Sequence, residues 1–189
     1  MDRIFRQASG LIGQKRCGNG RLLVTIDGPC ASGKTTLAAR LAEAFHACVL
    51  HTDDFVVPHA LKTEERLAVP GGNCDAERLV REAVRPWKEN RPARFRRYDC
   101  AHDCFLPEEE LPDTGMLILE GAYCNLPQIS RYADLRFFLA ASQPIREERL
   151  QKRETVQSLE RFHSLWIPLE DAYFSAFALP DSGCIILEE

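Results

Sequence analysis

Apolar and polar positions occur in blocks along the chain, and these blocks predict strands and helices in alternation. Five short apolar runs are bounded by turn residues or polar segments, which is typical of buried strands. The runs are Leu22–Ile26, Ala47–His51, Met116–Gly121, Leu135–Ala140 and Cys184–Leu187. Stretches with apolar residues three and four apart separate them and predict helices. This order predicts an α/β domain with right-handed crossovers, a five-stranded parallel sheet and helices on both faces.

Helical spacing also marks both ends of the chain. Residues 1 to 16 carry apolar side chains at positions 4, 5, 8, 11 and 12, which predicts an amphipathic helix packed outside the core. A frayed tail is the alternative, and Gly18-Asn19-Gly20 predicts a turn after it. Near the C-terminus, six apolar residues form one helical face that we expect in the core: Phe162, Leu165, Trp166, Leu169, Tyr173 and Phe174.

The middle of the chain is less regular. Val56–Asn73 contains two prolines and two glycines, so we expect a mobile excursion over the ends of the strands. Asp75 then predicts the N-cap of a helix that reaches Trp87, and Pro86 kinks or shortens that helix. Arg91–Asp99 is basic and partly alternating, which predicts an extended arm rather than core, either a solvated surface or a substrate contact.

Composition limits the classes of partner and the compartment. The 189 residues suit one domain, with 45% hydrophobic and 28% charged residues and a net charge of -4, which gives no electrostatic reason to expect nucleic acid. We expect small-molecule partners. Nothing resembles a signal peptide or membrane span, so we expect a cytoplasmic protein. The eight cysteines are therefore expected as thiols, although Cys100–Cys104, which includes a histidine and an aspartate, leaves a metal cluster as an alternative.

One stretch carries the strongest chemical signal. The run from Gly28 to Thr35 reads Gly-Pro-Cys-Ala-Ser-Gly-Lys-Thr and fits G-x-x-x-x-G-K-[ST] between a predicted strand and a predicted helix. Glycines at both ends let successive N–H groups curl around a phosphate, Lys34 adds a charge for the β- and γ-phosphates, and Thr35 offers a hydroxyl to Mg²⁺. A glycine turn that happens to contain a lysine is the alternative. The expected nucleotide-binding residues are Gly28, Ala31, Ser32, Gly33, Lys34, Thr35 and Thr36.

Acidic residues follow two of the predicted strands. Asp53 and Asp54 come directly after the second strand, and Glu120 closes the third. Ligands of open parallel sheets bind at the carboxyl ends of the strands, and an acid in the position of Glu120 helps to hold Mg²⁺ in NTPases. An Asx turn or a helix cap explains one of the aspartates equally well.

A predicted lid over residues 142–160 carries arginines. Ser142 and Pro144 predict the start of its helix, on which Arg146, Arg149 and Arg153 recur at spacings of three and four and so share one face. These guanidinium groups either face the phosphate loop and neutralise transferring charge, or form a solvated salt-bridge stripe with the neighbouring glutamates at 147 and 154.

With these residues together, the chain resembles the uridine kinase, phosphoribulokinase and pantothenate kinase group of phosphate-loop kinases. The resemblance rests on the phosphate loop, the Thr52-Asp53-Asp54-Phe55 element, Arg97-Tyr98-Asp99, Leu119-Glu120-Gly121 and the arginine-bearing helix. It extends from about Arg21 to Leu187. It implies a three-layer phosphate-loop NTPase fold with a helical lid.

The resemblance also implies roles for individual residues. Asp53 would approach the acceptor hydroxyl, Thr35 and Glu120 would arrange Mg²⁺, and Arg149 and Arg153 would stabilise the transferring phosphoryl group. Substrate contacts would come from Asp53, Phe55, Arg97, Tyr98 and His102.

These roles predict a Mg²⁺- and ATP-dependent kinase that phosphorylates a hydroxyl of a nucleoside-like or other small metabolite. Two alternatives stay open. A nucleoside monophosphate or other metabolite kinase would need arginines at the acceptor, which Arg96 and Arg97 could supply. A regulatory NTP-binding protein with slow hydrolysis would have no need of Asp53.

Overall fold

A computed structural model describes residues 1–16 and 20–188. Gly18 and Asn19 of the predicted turn lie outside the described residues. Nine strands occur in the described ranges. In chain order they are β1 Leu22–Asp27, β2 Cys48–His51, β3 Arg94–Phe95, β4 Tyr98–Asp99, β5 Cys104–Phe105, β6 Glu109–Glu110, β7 Met116–Glu120, β8 Leu135–Ala140 and β9 Ile185–Glu188.

The central sheet has the order β2-β7-β1-β8-β9, and all its neighbouring strands are parallel. The predicted five-stranded parallel sheet is therefore confirmed, with each strand bound shifted by at most one residue. β1 is buried along its whole length and lies between β7 and β8. Its sequence is mostly apolar because helices cover both faces of the sheet. The loop that follows β1 consequently leaves from the middle of the sheet.

Nine α-helical segments and two π-helical segments also lie in the described part of the chain. The α-helices are α1 Asp2–Lys15, α2 Lys34–Phe45, α3 Glu64–Ala68, α4 Ala76–Leu79, α5 Arg85–Lys88, α6 Pro127–Ser130, α7 Gln143–Arg153, α8 Val156–Arg161 and α9 Ile167–Ala176. The π-helical segments are Val80–Val84 and Phe162–Trp166. Among the described residues, no helix combines the length and the apolar character needed to cross a bilayer.

Successive residues of the central strands divide the core into two layers. Val24 and Ile118 face a layer that contains α1 and α2, whereas Leu23 and Leu117 face a layer that contains Trp87 of α5. This alternation follows from the two-residue period of a strand. The predicted three-layer α/β fold is confirmed.

The N-terminal residues belong to the core. α1 buries Ile4, Ala8 and Ile12 completely or nearly so, and these residues pack with Leu37 and Leu41 of α2. The predicted amphipathic helix is therefore present, and the alternative of a frayed tail is wrong.

The predicted excursion over residues 56–73 is tied together at its base. Val56 forms an antiparallel bridge with Cys74, and the amide of Val57 donates to the Asn73 carbonyl at 3.0 Å. Within the loop, a Cβ on Gly72 would lie 1.9 Å from the carbonyl oxygen of Arg66, so the backbone closes tightly there. The loop thus has a defined path, while its mobility stays a prediction.

The next helix begins and bends where the sequence predicts. The Asp75 side chain accepts a hydrogen bond from the Arg78 amide and caps α4. The π-helical segment Val80–Val84 then precedes Pro86. Because proline cannot donate to the helical ladder, a wider turn before it accommodates the missing hydrogen bond and keeps the chain helical through Lys88.

The basic arm over residues 91–99 is partly core, which corrects the sequence prediction. Phe95 and Tyr98 are 3% and 5% exposed, and Phe95 stacks on Phe55 with ring centroids 5.7 Å apart. The residues lie on β3 and β4, which pair with β6 and β5 as short antiparallel ribbons. Alternation places the apolar side chains inward while the arginines stay on the outer face.

Substitution of Ile12 by alanine tests the structural role of α1. Since Ile12 is fully buried, we expect Ile12→Ala to lower the free energy of unfolding by about 2–5 kcal/mol. Urea denaturation followed by circular dichroism measures the change. Val156→Ala is the matched control, because Val156 is 74% exposed and its truncation should have little effect; equal stability of the two variants would contradict the packing of α1.

Candidate active site

The loop between β1 and α2 needs glycine at both of its ends. Gly28 has φ = 138° and Gly33 has φ = 101°, and a Cβ on Gly28 would lie 2.4 Å from the Leu139 carbonyl oxygen. Only glycine adopts these angles and this close approach without strain. Gly33 is also the N-cap of α2, so the loop leads directly to the positive end of a helix.

A buried aspartate lies beneath this loop. The Asp27 carboxylate accepts hydrogen bonds from the Gly28 amide at 2.7 Å, the Asn125 amide at 3.0 Å and the Tyr173 hydroxyl at 2.7 Å. Burial raises the pKa of Asp27, whereas these hydrogen bonds and the charge of Lys34 lower it. The sequence analysis did not select Asp27, and its position as the last residue of a buried strand was the available signal.

The loop residues have the chemistry of a phosphate site. Lys34 lies at the start of α2, and its Nζ donates to the Gly28 and Pro29 carbonyls at 2.8 and 3.0 Å. Ser32 is fully buried, and its Oγ has no hydrogen-bond partner in the described part of the chain. A cradle with a mobile ammonium, an unpaired hydroxyl and a helix N-terminus fits the phosphates of a nucleotide.

Thr35 and Glu120 converge from α2 and β7. The Thr35 hydroxyl donates to Glu120 Oε1 at 3.1 Å, and the same oxygen forms a short hydrogen bond with His51 Nδ1. That hydrogen bond raises the pKa of His51. The two oxygen donors fit Mg²⁺, which is usually held by one or two protein oxygens together with phosphates and waters. His51 was missed by the sequence analysis, although it ends the strand before Asp53.

The described residues contain no group of three or more His, Cys, Asp or Glu side chains arranged to hold a metal ion. The Cys100–Cys104 alternative therefore receives no support from the geometry.

Asp53 is positioned by a lock, a hydrogen bond between the segment after β2 and the segment after β7. The Thr52 hydroxyl donates to the Ala122 carbonyl at 2.7 Å, and Gly121, with φ = 128°, leaves room for it, since a Cβ there would lie 2.1 Å from the Thr52 oxygen. Asp53 faces the cavity described below. The protein packed around its carboxylate raises its pKa, while the charge of Lys34 lowers it.

The neighbouring Asp54 is directed elsewhere. Its carboxylate lies 3.8 Å from Arg97 Nε, and it does not line the cavity. Of the two adjacent acids, Asp53 is therefore the one that lines the cavity.

The predicted lid is two helices rather than one. α7 ends at Arg153 and α8 begins at Val156, so the helix expected over residues 142–160 breaks at Glu154. Ser142 is at the N-cap position but its side chain makes no capping hydrogen bond.

The three arginines of α7 have different surroundings. Arg149 donates to the Ala31 and Ser32 carbonyls at 3.3 and 3.2 Å, and Arg146 Nη1 lies 4.0 Å from Cys30 Sγ. Arg153 pairs with Glu154 at 2.6 Å and also lines the cavity. The Arg146 and Arg149 side chains therefore point to the phosphate loop. Of the predicted salt bridges with the glutamates at 147 and 154, the described contacts include the pair between Arg153 and Glu154.

One cavity of about 890 Å³ opens over these groups. From the predicted set it is lined by Ala31, Gly33, Lys34, Thr35, Thr36, Asp53, Glu120, Arg149 and Arg153. The carboxyl ends of β1, β2 and β7 meet here because parallel strands end at one edge of the sheet.

Four predicted substrate residues do not reach the cavity. Phe55 is buried against Phe95, and Arg97 pairs with Glu109 at 2.9 Å. The Tyr98 hydroxyl accepts from the His59 amide at 3.0 Å and donates to Asp103, whereas His102 is exposed and pairs with Asp99 at 2.7 Å. Of the five residues predicted to contact the substrate, only Asp53 lines the cavity.

The predicted aromatic core face is divided by the second π-helical segment. Tyr173 is fully buried, but Phe162 and Trp166 are half-buried and line the cavity, because a π-turn shifts the residues that follow it around the helix axis. On α9, Glu170 is 8% exposed and accepts a hydrogen bond from the Cys30 amide at 2.8 Å. The sequence analysis missed both features.

Comparisons with solved structures identify the fold. A possible uridine kinase from Bacillus stearothermophilus superposes with a TM-score of 0.73 at 22% identity, covering 97% of this chain and 98% of that one. A proposed fructose transport system kinase from Silicibacter sp. gives 0.69 at 22% identity over 90% and 94% of the chains. D-glycerate 3-kinase from Cryptococcus neoformans gives 0.62 at 14% identity over 98% and 95%.

The chain has the fold of the uridine kinase-like phosphate-loop kinases. No protein-family model matches the sequence, and no curated protein matches it either. At these identities the likeness shows the fold alone.

Replacement of Glu170 tests the electrostatics of the loop. Burial raises the pKa of Glu170, although Lys34 lowers it, so the unfolded chain releases this proton at a lower pH than the folded protein. Stability therefore falls as the pH rises from the unfolded pKa, about 4.3, through the folded pKa. Glutamine cannot ionise but can still accept from Cys30. We expect Glu170→Gln to raise the free energy of unfolding at pH 7 and to leave it unchanged at about pH 3.

Urea denaturation of the nucleotide-free protein at both pH values measures this. Glu160→Gln is the control, because Glu160 is an exposed glutamate of α8 and should give no change at either pH. Absence of a gain for Glu170→Gln at pH 7 would contradict the assigned cost of the buried charge.

Proposed function

We propose that the protein is an ATP-dependent kinase that transfers the γ-phosphoryl group to a hydroxyl of a small metabolite. The observation that carries the proposal is the convergence of one carboxylate, Asp53, with Lys34, Thr35 and Glu120 on a single cavity. A regulatory phosphate-loop protein with slow hydrolysis has no need of an acid that faces an acceptor hydroxyl. A kinase needs it to orient the attacking hydroxyl.

The proposed step uses these residues in defined roles. The acceptor oxygen forms a bond to the γ-phosphorus as the bond to the β,γ-bridging oxygen breaks, and Asp53 takes the hydroxyl proton. Lys34 and the loop amides hold the phosphates, and Thr35 and Glu120 would hold Mg²⁺, which supplies charge neutralisation at the phosphate oxygens when bound. Arg149 and Arg153 would stabilise the charge of the transferring group.

The raised pKa of Asp53 is compatible with this role. The protein packed around the carboxylate disfavours its charged form, so a proton taken from the hydroxyl is held more readily. Phosphoryl transfer depends mainly on positioning and electrostatics, and the Thr52 and Gly121 lock holds the turn that carries Asp53.

The solved structures support a kinase without agreeing on an acceptor. The three proteins compared above are described as acting on uridine, in fructose transport and on glycerate. The two arginines that the monophosphate-kinase alternative needs at the acceptor are placed elsewhere, because Arg97 pairs with Glu109 and Arg96 lies over the Phe105 ring, with its guanidinium carbon 4.8 Å from the centroid. Neither arginine lines the cavity.

Separate substitutions of the two adjacent aspartates by asparagine test the proposal. We expect Asp53→Asn to lower turnover by roughly 10²–10⁴-fold while ATP affinity is kept, since the amide fills the same space but cannot take a proton. ADP release with Mg²⁺ and a panel of hydroxyl compounds measures turnover, and calorimetric titration measures ATP binding.

Asp54→Asn is the matched control, because Asp54 faces Arg97 rather than the cavity; it should retain most activity. Lys34→Ala should abolish both transfer and tight ATP binding. Near-full turnover of Asp53→Asn would refute the assignment of the base, and ADP release that no acceptor accelerates would favour the regulatory alternative.

A further inference from the structure

The outer part of the cavity carries two cations around one indole ring. Lys62 comes from the loop 56–73, and Arg161 ends α8. Lys62 Nζ lies 5.8 Å and the Arg161 guanidinium carbon 5.9 Å from the centroid of Trp166, and all three residues line the cavity. Two chain segments therefore meet here and place two positive charges near each other.

Neither cation forms a close ion pair with a carboxylate of the described residues, although Lys62 is near enough to Asp103 to lower the pKa of that carboxyl. The nearby acids of the cavity are engaged elsewhere, since Glu120 binds Thr35 and His51, and Glu170 binds the Cys30 amide. Two like charges on one cavity wall repel each other. An anionic group bound there offsets this repulsion.

A second observation points into the same space. Asn73 is 8% exposed and lines the cavity, and its Oδ1 has no hydrogen-bond partner in the described ranges. Its position is fixed, because its backbone carbonyl accepts from Val57 at 3.0 Å. A buried amide oxygen without a donor is costly, and a hydroxyl on a bound metabolite satisfies it.

We propose that the phosphate acceptor is a small hydroxyl-bearing metabolite with an anionic group, a carboxylate or a phosphate. Lys62 and Arg161 bind the anionic group, Asn73 accepts from one hydroxyl, and Asp53 faces the hydroxyl that is phosphorylated. This inference rests on the proposed kinase function and makes it specific. A neutral nucleoside or free sugar leaves both cations without a partner.

The indole of Trp166 provides a direct measurement of binding. The chain has two tryptophans, and Trp87 is buried in the core at 1% exposure, so a ligand in the cavity changes the emission of Trp166. Titrations are made with Mg²⁺ and a non-hydrolysable ATP analogue, which keeps anionic probes away from the phosphate loop. The probe pairs are glycerate against glycerol and ribose 5-phosphate against ribose, with uridine as a neutral nucleoside.

We expect an anionic probe to change the emission at lower concentration than its neutral counterpart, and the carboxylate and phosphate arms to show which group is preferred. Lys62→Gln and Arg161→Ala should each weaken that binding by at least roughly tenfold and leave neutral probes unaffected. Arg81→Ala is the matched control, because Arg81 is exposed and remote from the cavity lining. Trp166→Phe should abolish the signal.

Failure of every anionic probe to change the emission, or an equal response to the neutral partners, overturns the inference. ATP-dependent transfer to uridine, glycerol or ribose that is at least as efficient as transfer to the anionic probes also overturns it, while it leaves the proposed kinase intact. Binding of an anionic probe with no transfer to any compound in the ADP-release assay has the opposite meaning: it refutes the kinase and with it the assignment of the anion as acceptor.

Discussion

The carboxylate of Asp27 connects the elements on which the candidate site depends. It accepts hydrogen bonds from the phosphate loop at Gly28, from the segment after β7 at Asn125 and from α9 at Tyr173. A fully buried carboxylate is costly unless such donors surround it. The path of the loop therefore depends on contacts with the segment after β7 and with α9, and the close approach at Gly28 excludes any side chain there.

Negative charge is concentrated around one lysine. Burial raises the pKa values of Asp27 and Glu170, and Lys34 is a counter-charge that lowers both. Acids held in this way destabilise the folded protein at neutral pH, which is common where residues are arranged for function rather than stability. In the proposed function a nucleotide adds further negative charge, which the cations of α7, Arg149 and Arg153, would balance.

The proposed acceptor side of the cavity is assembled differently from the proposed nucleotide side. Short loops fixed by the central strands form the proposed nucleotide side. The acceptor side depends on the loop 56–73 and on the chain after α7, which meet at Lys62 and Trp166. Such peripheral segments vary without disturbing the sheet, and this agrees with the different acceptors named for proteins of the same fold.

The sequence by itself determined the five central strands, their parallel arrangement between layers of helices, the phosphate loop and the acids at the ends of β2 and β7. These features are local: an apolar run, a glycine spacing or a strand end is visible within a few residues. Only the tertiary structure decided that Tyr98 and His102 turn away from the cavity and that Trp166 leaves the core. Side-chain direction there depends on π-turns and on contacts between segments far apart in the chain, and neither is encoded in local periodicity.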